Sequence, residues 1–165
     1  METENRQKVY GLLREMGIPF SVEEHPPVYT IEEMQKLSIG GGEGEIVKNL
    51  FLRDNKGRRH FLVVLQQDKK ADLKALRQLI QSTPLSFASE ERLMKYLGLA
   101  KGAVTPLGII NDSQHQVEVL LDEDLQSASR IGVHPNDNTA TLWLSWDDLI
   151  GFITRMGNPL RLIRL

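Results

Sequence analysis

Cysteine is absent from the 165-residue chain. That excludes a disulfide framework, thiolate nucleophiles and cysteine-bound zinc. Long apolar runs are missing too. No stretch approaches membrane-spanning length, and the opening METENRQKVYGLL lacks the apolar core of a secretory leader. The expectation is a soluble protein of the cytoplasm, with no membrane partner. A strong charge of one sign is also lacking: the formal net charge is −2. A protein that wraps nucleic acid extensively is usually basic, so any such contact is expected to be local. Lys56, Arg58 and Arg59 form one basic cluster, and Lys69, Lys70, Lys74 and Arg77 another. A solvated face is the plainer account of each.

Several motifs are missing as well. His25, His60, His115 and His134 stand in neither HxxxH nor HExxH spacing, and Asp122-Glu123-Asp124 lacks the glycine and spacing of a calcium loop. No metal and no cofactor are expected. The glycine-rich run from Gly40 to Lys48 lacks a GK[ST] ending and leads into a strand, which argues against a phosphate-binding loop. There is no GxSxG.

What is present suffices for a folded core: 41% hydrophobic and 25% charged residues. One domain over residues 1–165 is expected. Val9, Leu12, Leu13 and Met16 have helical spacing, closed by Gly17. Ile18, Phe20 and Val22 alternate as a strand, broken by His25-Pro26-Pro27. Thr30 and Glu33 suit a capping box for a helix at about 31–37. Gly40 to Gly44 reads as a loop. Ile46 to Leu52 and His60 to Leu65 read as a hairpin about Asp54-Asn55-Lys56-Gly57. Leu73 to Ile80 is helical, Leu85 to Ala88 a short strand, and Ser89 caps a helix that Gly98 ends. Gly102 to Gly108 is a loop or the start of a strand. Strands follow at Val117 to Leu121, Ile131 to His134 and Thr139 to Leu144. Ser145 caps a last helix, and Leu160 to Ile163 closes as a strand. Hairpins mixed with helical crossovers give an α/β or α+β fold: one compact domain with a mixed, mostly antiparallel sheet and flanking helices.

Chemistry is sought among polar residues stranded in apolar surroundings. Lys48 and Asn49 interrupt a strand. A lysine there snorkels at a sheet edge, binds an anionic group, or acts as a base. His134 ends a strand before Pro135. Gly102 and Gly108 bracket Thr105-Pro106, where freed backbone N–H groups could face a ligand.

The segments VKNLFLRD, RRHFLVVL, DLKAL, LSFASEERLMKYLG, KGAVTPLGIIND and GVHPNDNTATLWLS stand in one order. In that series the chain resembles the YbaK/PrdX family of free-standing aminoacyl-tRNA editing proteins, which are similar to the editing domain of bacterial prolyl-tRNA synthetases. The resemblance covers about residues 5–165. VKNLFL with SFASEERL looks most like the PrdX, or ProXp-ala, branch.

The resemblance implies the fold of YbaK and of aminoacyl-tRNA-synthetase-associated domains. It implies metal-independent hydrolysis of a mischarged aminoacyl ester, most like alanine on proline tRNA. The alternatives are cysteine or serine as the amino acid, or a binding module without catalysis. Partners would be the acceptor end of the tRNA and prolyl-tRNA synthetase. The family's lysine and asparagine fall on Lys48 and Asn49 as catalytic residues. Its GxVxPxG loop falls on Gly102, Val104, Pro106 and Gly108, with Thr105 between them, and its histidine on His134. These join Tyr29 and Thr30 as expected substrate-binding residues. A size sieve is expected from Val28, Tyr29, Ile31 and Phe51.

Overall fold

The computed structural model describes residues 4–27, 32 and 44–165. Val28, Tyr29, Thr30, Ile31 and residues 40–43 lie outside that set, as does the helix expected at about 31–37 save for Glu32.

The first periodic segment forms α1 (Glu4–Glu15), burying Arg6, Val9, Tyr10 and Leu13 along one stripe. Gly17, at φ 70°, ends it, and the Ile18 N–H donates back to the Leu13 carbonyl at 3.0 Å. The strand expected from Ile18 is shorter than the alternation suggests. β1 covers Ser21–Glu24 only. Phe20 instead stacks on Tyr10, with ring centroids 5.5 Å apart, and Ile18 packs into the same core. Tertiary packing outweighs alternation there.

β2 (Glu45–Arg53) and β3 (His60–Gln66) make the expected hairpin. Asp54 organises its turn: Oδ1 accepts from the N–H of Arg58 at 2.8 Å and of Arg59 at 3.1 Å. α2 (Leu73–Leu79) is capped by Asp72. β4 (Ser86–Phe87) precedes α3 (Glu90–Leu97), which runs from the Ser89 cap to Gly98 in the left-handed region. Residues 102–108 do not begin a strand. Thr105 caps a 3-10 turn, Pro106–Asn111, because a threonine cap followed by proline is preorganised for a helical start. β5 (Val117–Asp122), β6 (Ile131–Val133), β7 (Ala140–Leu144), α4 (Trp146–Met156, capped by Ser145) and β8 (Leu160–Ile163) complete the order. β6 stops one residue short of His134.

The strands form one mixed sheet in the order β1-β7-β6-β2-β3-β5-β8, with β4 also on β2. Antiparallel pairs join β1 to β7, β6 to β7, β2 to β3 and β2 to β4. Parallel pairs join β2 to β6, β3 to β5 and β5 to β8.

Strand alternation sorts side chains between two faces. On one face Val47, Phe51, Leu62, Val64, Val119 and Leu142 pack with Val9 and Leu13 of α1, Leu97 of α3 and Phe152 of α4. On the other, Leu52, Phe61, Val63, Leu65 and Leu120 pack beneath Leu76 and Ile80. Over β7 and β6 this second face carries Thr141, Trp143 and Gly132, which belong to neither apolar cluster. The site is built on that part of the sheet.

Candidate active site

β2 changes neighbours along its length. It pairs with β6 only at Glu45 and Ile46, and with β4 only at Leu52 and Arg53. Between those points β3 is its one partner among the described residues. The chain leaves β2 for β3 on one side and leaves β6 for β7 on the other. Parallel strands whose connections diverge this way open a crevice at their ends, where open α/β sheets bind ligands. The Glu45 N–H donates outward to Arg130 O at 2.9 Å, and Phe51 O accepts from Ala88 N–H at 2.9 Å. Alternation therefore turns the main-chain groups of Val47 and Asn49 into the same gap.

Lys48 and Asn49 project to opposite faces. Lys48 shares its face with Ile46, Leu50 and Leu52, and Asn49 shares the other with Val47 and Phe51. The Lys48 Nζ donates to the carbonyl of Lys69 at 2.8 Å. An ammonium has three donors, and among the described residues this is the one bond the Lys48 ammonium makes. Asn49 Oδ1 is buried and accepts no hydrogen bond among the described residues.

His134 follows β6 at the lip of the gap. Alternation from Gly132 puts it on the face of Lys48. Its Nδ1 lies 3.2 Å from Ala140 O. A carbonyl only accepts, so Nδ1 carries the proton and Nε2 is left as an acceptor. Burial lowers its pKa, with the nearby His25 acting in the same sense and the Ala140 carbonyl and Asp137 opposing.

His25, which in the sequence marks a strand break and lacks metal-ligand spacing, was not expected at the site. Here its ring centroid is 6.5 Å from that of His134. Its Nδ1 donates to Pro26 O at 2.8 Å, and its Nε2 in the neutral ring accepts from the Thr141 hydroxyl at 2.9 Å. Trp143 follows Thr141 on the same face of β7. A Cβ on Gly132 would come within 2.8 Å of the Trp143 ring, and so would one on Gly44. The Arg130 guanidinium sits 4.2 Å over that ring. The signal that could have found these residues was the alternation of β7, which sends Thr141 and Trp143 away from Leu142 and Leu144.

The remaining expected residues are distributed differently. Thr105 is fully buried, and its Oγ1 accepts from Leu107 N–H at 3.3 Å. Gly108 N–H donates to Thr105 O, and Ala103 N–H to Ala100 O. Gly108 permits close packing, since a Cβ there would lie 2.6 Å from a Leu99 methyl. Val104, Leu107 and Ile109 pack into the core on the face of Asn49. Gly102 is in the left-handed region at φ 89°, and Pro106 is buried at the first position of the turn. Phe51 faces that same core, stacked on His60 with centroids 5.7 Å apart, and so points away from Lys48. Among the described residues no three His, Cys, Asp or Glu side chains converge as a metal site. No described helix is long and apolar enough to cross a membrane.

A family model described as the aminoacyl-tRNA editing domain matches residues 25–152. The chain is 52% identical over 165 residues to the prolyl-tRNA editing protein ProX of Acetoanaerobium sticklandii, covering 100% of both chains. It is 34% identical over 150 residues to prolyl-tRNA synthetase associated domain-containing protein 1 of Danio rerio, covering 90% of this chain and 80% of that one. A crystal structure described as a candidate trans-editing enzyme for prolyl tRNA synthetase superposes with a TM-score of 0.77, covering 100% of this chain and 99% of that chain. At 23% identity that likeness speaks for the fold.

Proposed function

The chain belongs to the aminoacyl-tRNA editing domain family, and from that premise we propose that it is a deacylase acting in trans on mischarged tRNA, with alanine on proline tRNA as its substrate. The observation that carries this reading is Lys48, on the same face of the sheet as His134, its amine bonded among the described residues to the Lys69 carbonyl alone. A relative of the same length at 52% identity is a prolyl-tRNA editing protein, which favours proline tRNA.

A proline pocket cannot strongly reject the smaller alanine, because a missing methylene is worth only about 1–3 kcal/mol. A second site that admits alanine and excludes proline restores fidelity. On this reading the acceptor end enters the gap between β2 and β6. Water attacks the ester carbonyl, the carbon–oxygen bond to the terminal ribose breaks, and the ribose hydroxyl leaves with a proton. Lys48 stabilises the charge that develops on the carbonyl oxygen. His134 is a weak base with its pKa lowered, so it lines the pocket as an acceptor. The proton passes through the vicinal ribose hydroxyl of the substrate. Asn49, whose Oδ1 has no partner among the described residues, and the N–H groups of Gly102, Val104 and Thr105 position the aminoacyl group from the other side. Tyr29 and Thr30 remain assigned to substrate binding. This reading calls for no cofactor, and a tRNA substrate with prolyl-tRNA synthetase as partner suits the cytoplasm.

The test is a panel of proline tRNA carrying labelled alanine, cysteine, serine or proline. Loss of alanine with proline retained supports the proposal. Loss of cysteine or serine alone moves the specificity, and binding without any loss replaces the deacylase with a binding module.

A further inference from the structure

The carbonyl that receives Lys48 belongs to a short turn between β3 and α2, and that turn is fastened to a buried carboxylate. Asp122, at the end of β5, is fully buried. Its Oδ2 accepts from Gln66 N–H at 3.1 Å. Its Oδ1 accepts from the Lys69 ammonium at 2.9 Å and from Asp124 N–H at 3.0 Å. The Lys69 ammonium also reaches Asp124 at 2.7 Å. Across the turn Lys69 N–H donates to Gln66 O at 3.1 Å. The neighbouring Gln67 amide donates to Glu45 at 3.3 Å, at the start of β2. Gln66 and Lys69 are thus both tied to one carboxylate, and the Lys69 carbonyl between these ties is left pointing at Lys48.

We propose that Lys69 is a positioning residue: its side chain, clamped between Asp122 and Asp124, fixes the backbone carbonyl that aims the Lys48 ammonium into the gap between β2 and β6. The proposal deepens the deacylase reading and rests on it for its kinetic consequence. The geometry itself does not depend on that reading. A long, flexible lysine is a poor catalytic donor unless one of its hydrogens is spent on a fixed acceptor. Here the acceptor is a main-chain oxygen, which cannot rotate away as a side chain can. The two Asp122 ties approach from either end of the turn, so losing either lets the carbonyl drift. The desolvation that disfavours a buried ammonium is offset by its bonds to Asp124 and Asp122, and the pKa of Lys69 is raised accordingly.

Two readouts test this. One is the ammonium resonance of Lys48 in nitrogen-15-labelled protein, assigned by its disappearance in Lys48→Ala. The other is the split between kcat and KM for deacylation of labelled Ala-tRNA(Pro). In Lys69→Met the resonance is expected to shift or exchange away. The kcat is expected to fall about ten- to a hundredfold, the range for a reacting group displaced by about 1 Å, with KM within about twofold. Lys69→Arg, which keeps the pair with Asp122, is expected to recover most of both. Asp124→Asn removes only the half-exposed partner and gives a smaller change in the same direction, so poor folding of the methionine variant leaves the question answerable. A Lys48 resonance unchanged in both Lys69→Met and Asp124→Asn overturns the proposal. A resonance that moves in a protein without deacylase activity on any tRNA leaves the clamp standing and sinks the function instead.

Discussion

The Arg6 guanidinium donates to the Thr139 carbonyl at 2.9 Å and thereby ties α1 to the loop that follows His134. Arg6 is 2% exposed. It also donates to Glu24 at 2.8 Å, and Asp137 in the same loop accepts from Thr139 N–H at 2.8 Å. Replacing Arg6 with Ala removes a charged donor from Thr139, whose carbonyl keeps the His25 N–H and whose own N–H and hydroxyl keep Asp137. We expect a loss of about 2 kcal/mol, the usual worth of hydrogen bonds to a charged group, read as a lower urea midpoint. Deacylation should fall further than unfolding accounts for, because His134 loses its support. Wild-type activity in the folded fraction would contradict that.

Lys48→Ala should keep the fold, since the side chain is not fully buried and donates to one carbonyl. Single-turnover deacylation should drop by about 10²- to 10³-fold, as for removal of one donor to a developing oxyanion. Lys48→Arg should not restore it, because a planar guanidinium cannot occupy the same tie to Lys69 and keep its remaining donors aimed alike.

Asn49 predicts an opposition between stability and activity. Its buried Oδ1 has no hydrogen-bond partner among the described residues. Asn49→Ala should therefore be neutral or slightly stabilising, within about 1 kcal/mol, while activity falls. A strongly destabilised variant with full activity would mean that the amide is structural.

His60 makes stability depend on pH. It is 1% exposed, and burial, followed by the charge of Arg92, lowers its pKa to about 4. Arg92 donates to its Nε2 at 3.0 Å, which holds the ring neutral. In the unfolded chain the ring takes up a proton near its ordinary pKa of about 6.5. Between those values the unfolded state binds more protons, so stability falls as pH drops from about 6.5 to about 4. The full difference is on the order of 3 kcal/mol. His60→Gln keeps an acceptor for Arg92 and removes the titration. Its urea midpoint should vary less across that window than the wild type; parallel curves would refute the assignment.

Gly132→Ala would bring a methyl group to 2.8 Å from the Trp143 ring and 3.0 Å from the Thr141 methyl. The ring must move, at about 1–3 kcal/mol. Adding Trp143→Leu should relieve that penalty, so the double variant should melt above the value expected from adding the two single effects.

Local signals carried most of the fold. Ser89, Ser145, Gly17 and Gly98 mark helix ends because capping and left-handed turns depend on a few adjacent residues. The hairpin is equally local. Alternation alone separates Lys48 from Asn49. The gap was not legible, because it arises where β6 leaves β2 after Gly132, and no residue in β2 encodes that departure. Thr141 and Trp143 are each ordinary in β7, and His25 just past β1; they join the site only through β1–β7–β6 pairing. Phe51 was expected near the substrate from its size; its register puts it on the face of Asn49, opposite Lys48.

The narrow pairing of β2 with β6 also makes the sheet mechanically uneven. Seven residue pairs bind β2 to β3, whereas two bind it to β6. The β1–β7–β6 ribbon is therefore joined to the rest like a page to a spine, with the shared core beneath it acting as the binding. Small rotations cost least along that seam. They would change the distance from His134 to Lys48 without disturbing either strand, and the fit of the site would then follow the angle between two stiff plates.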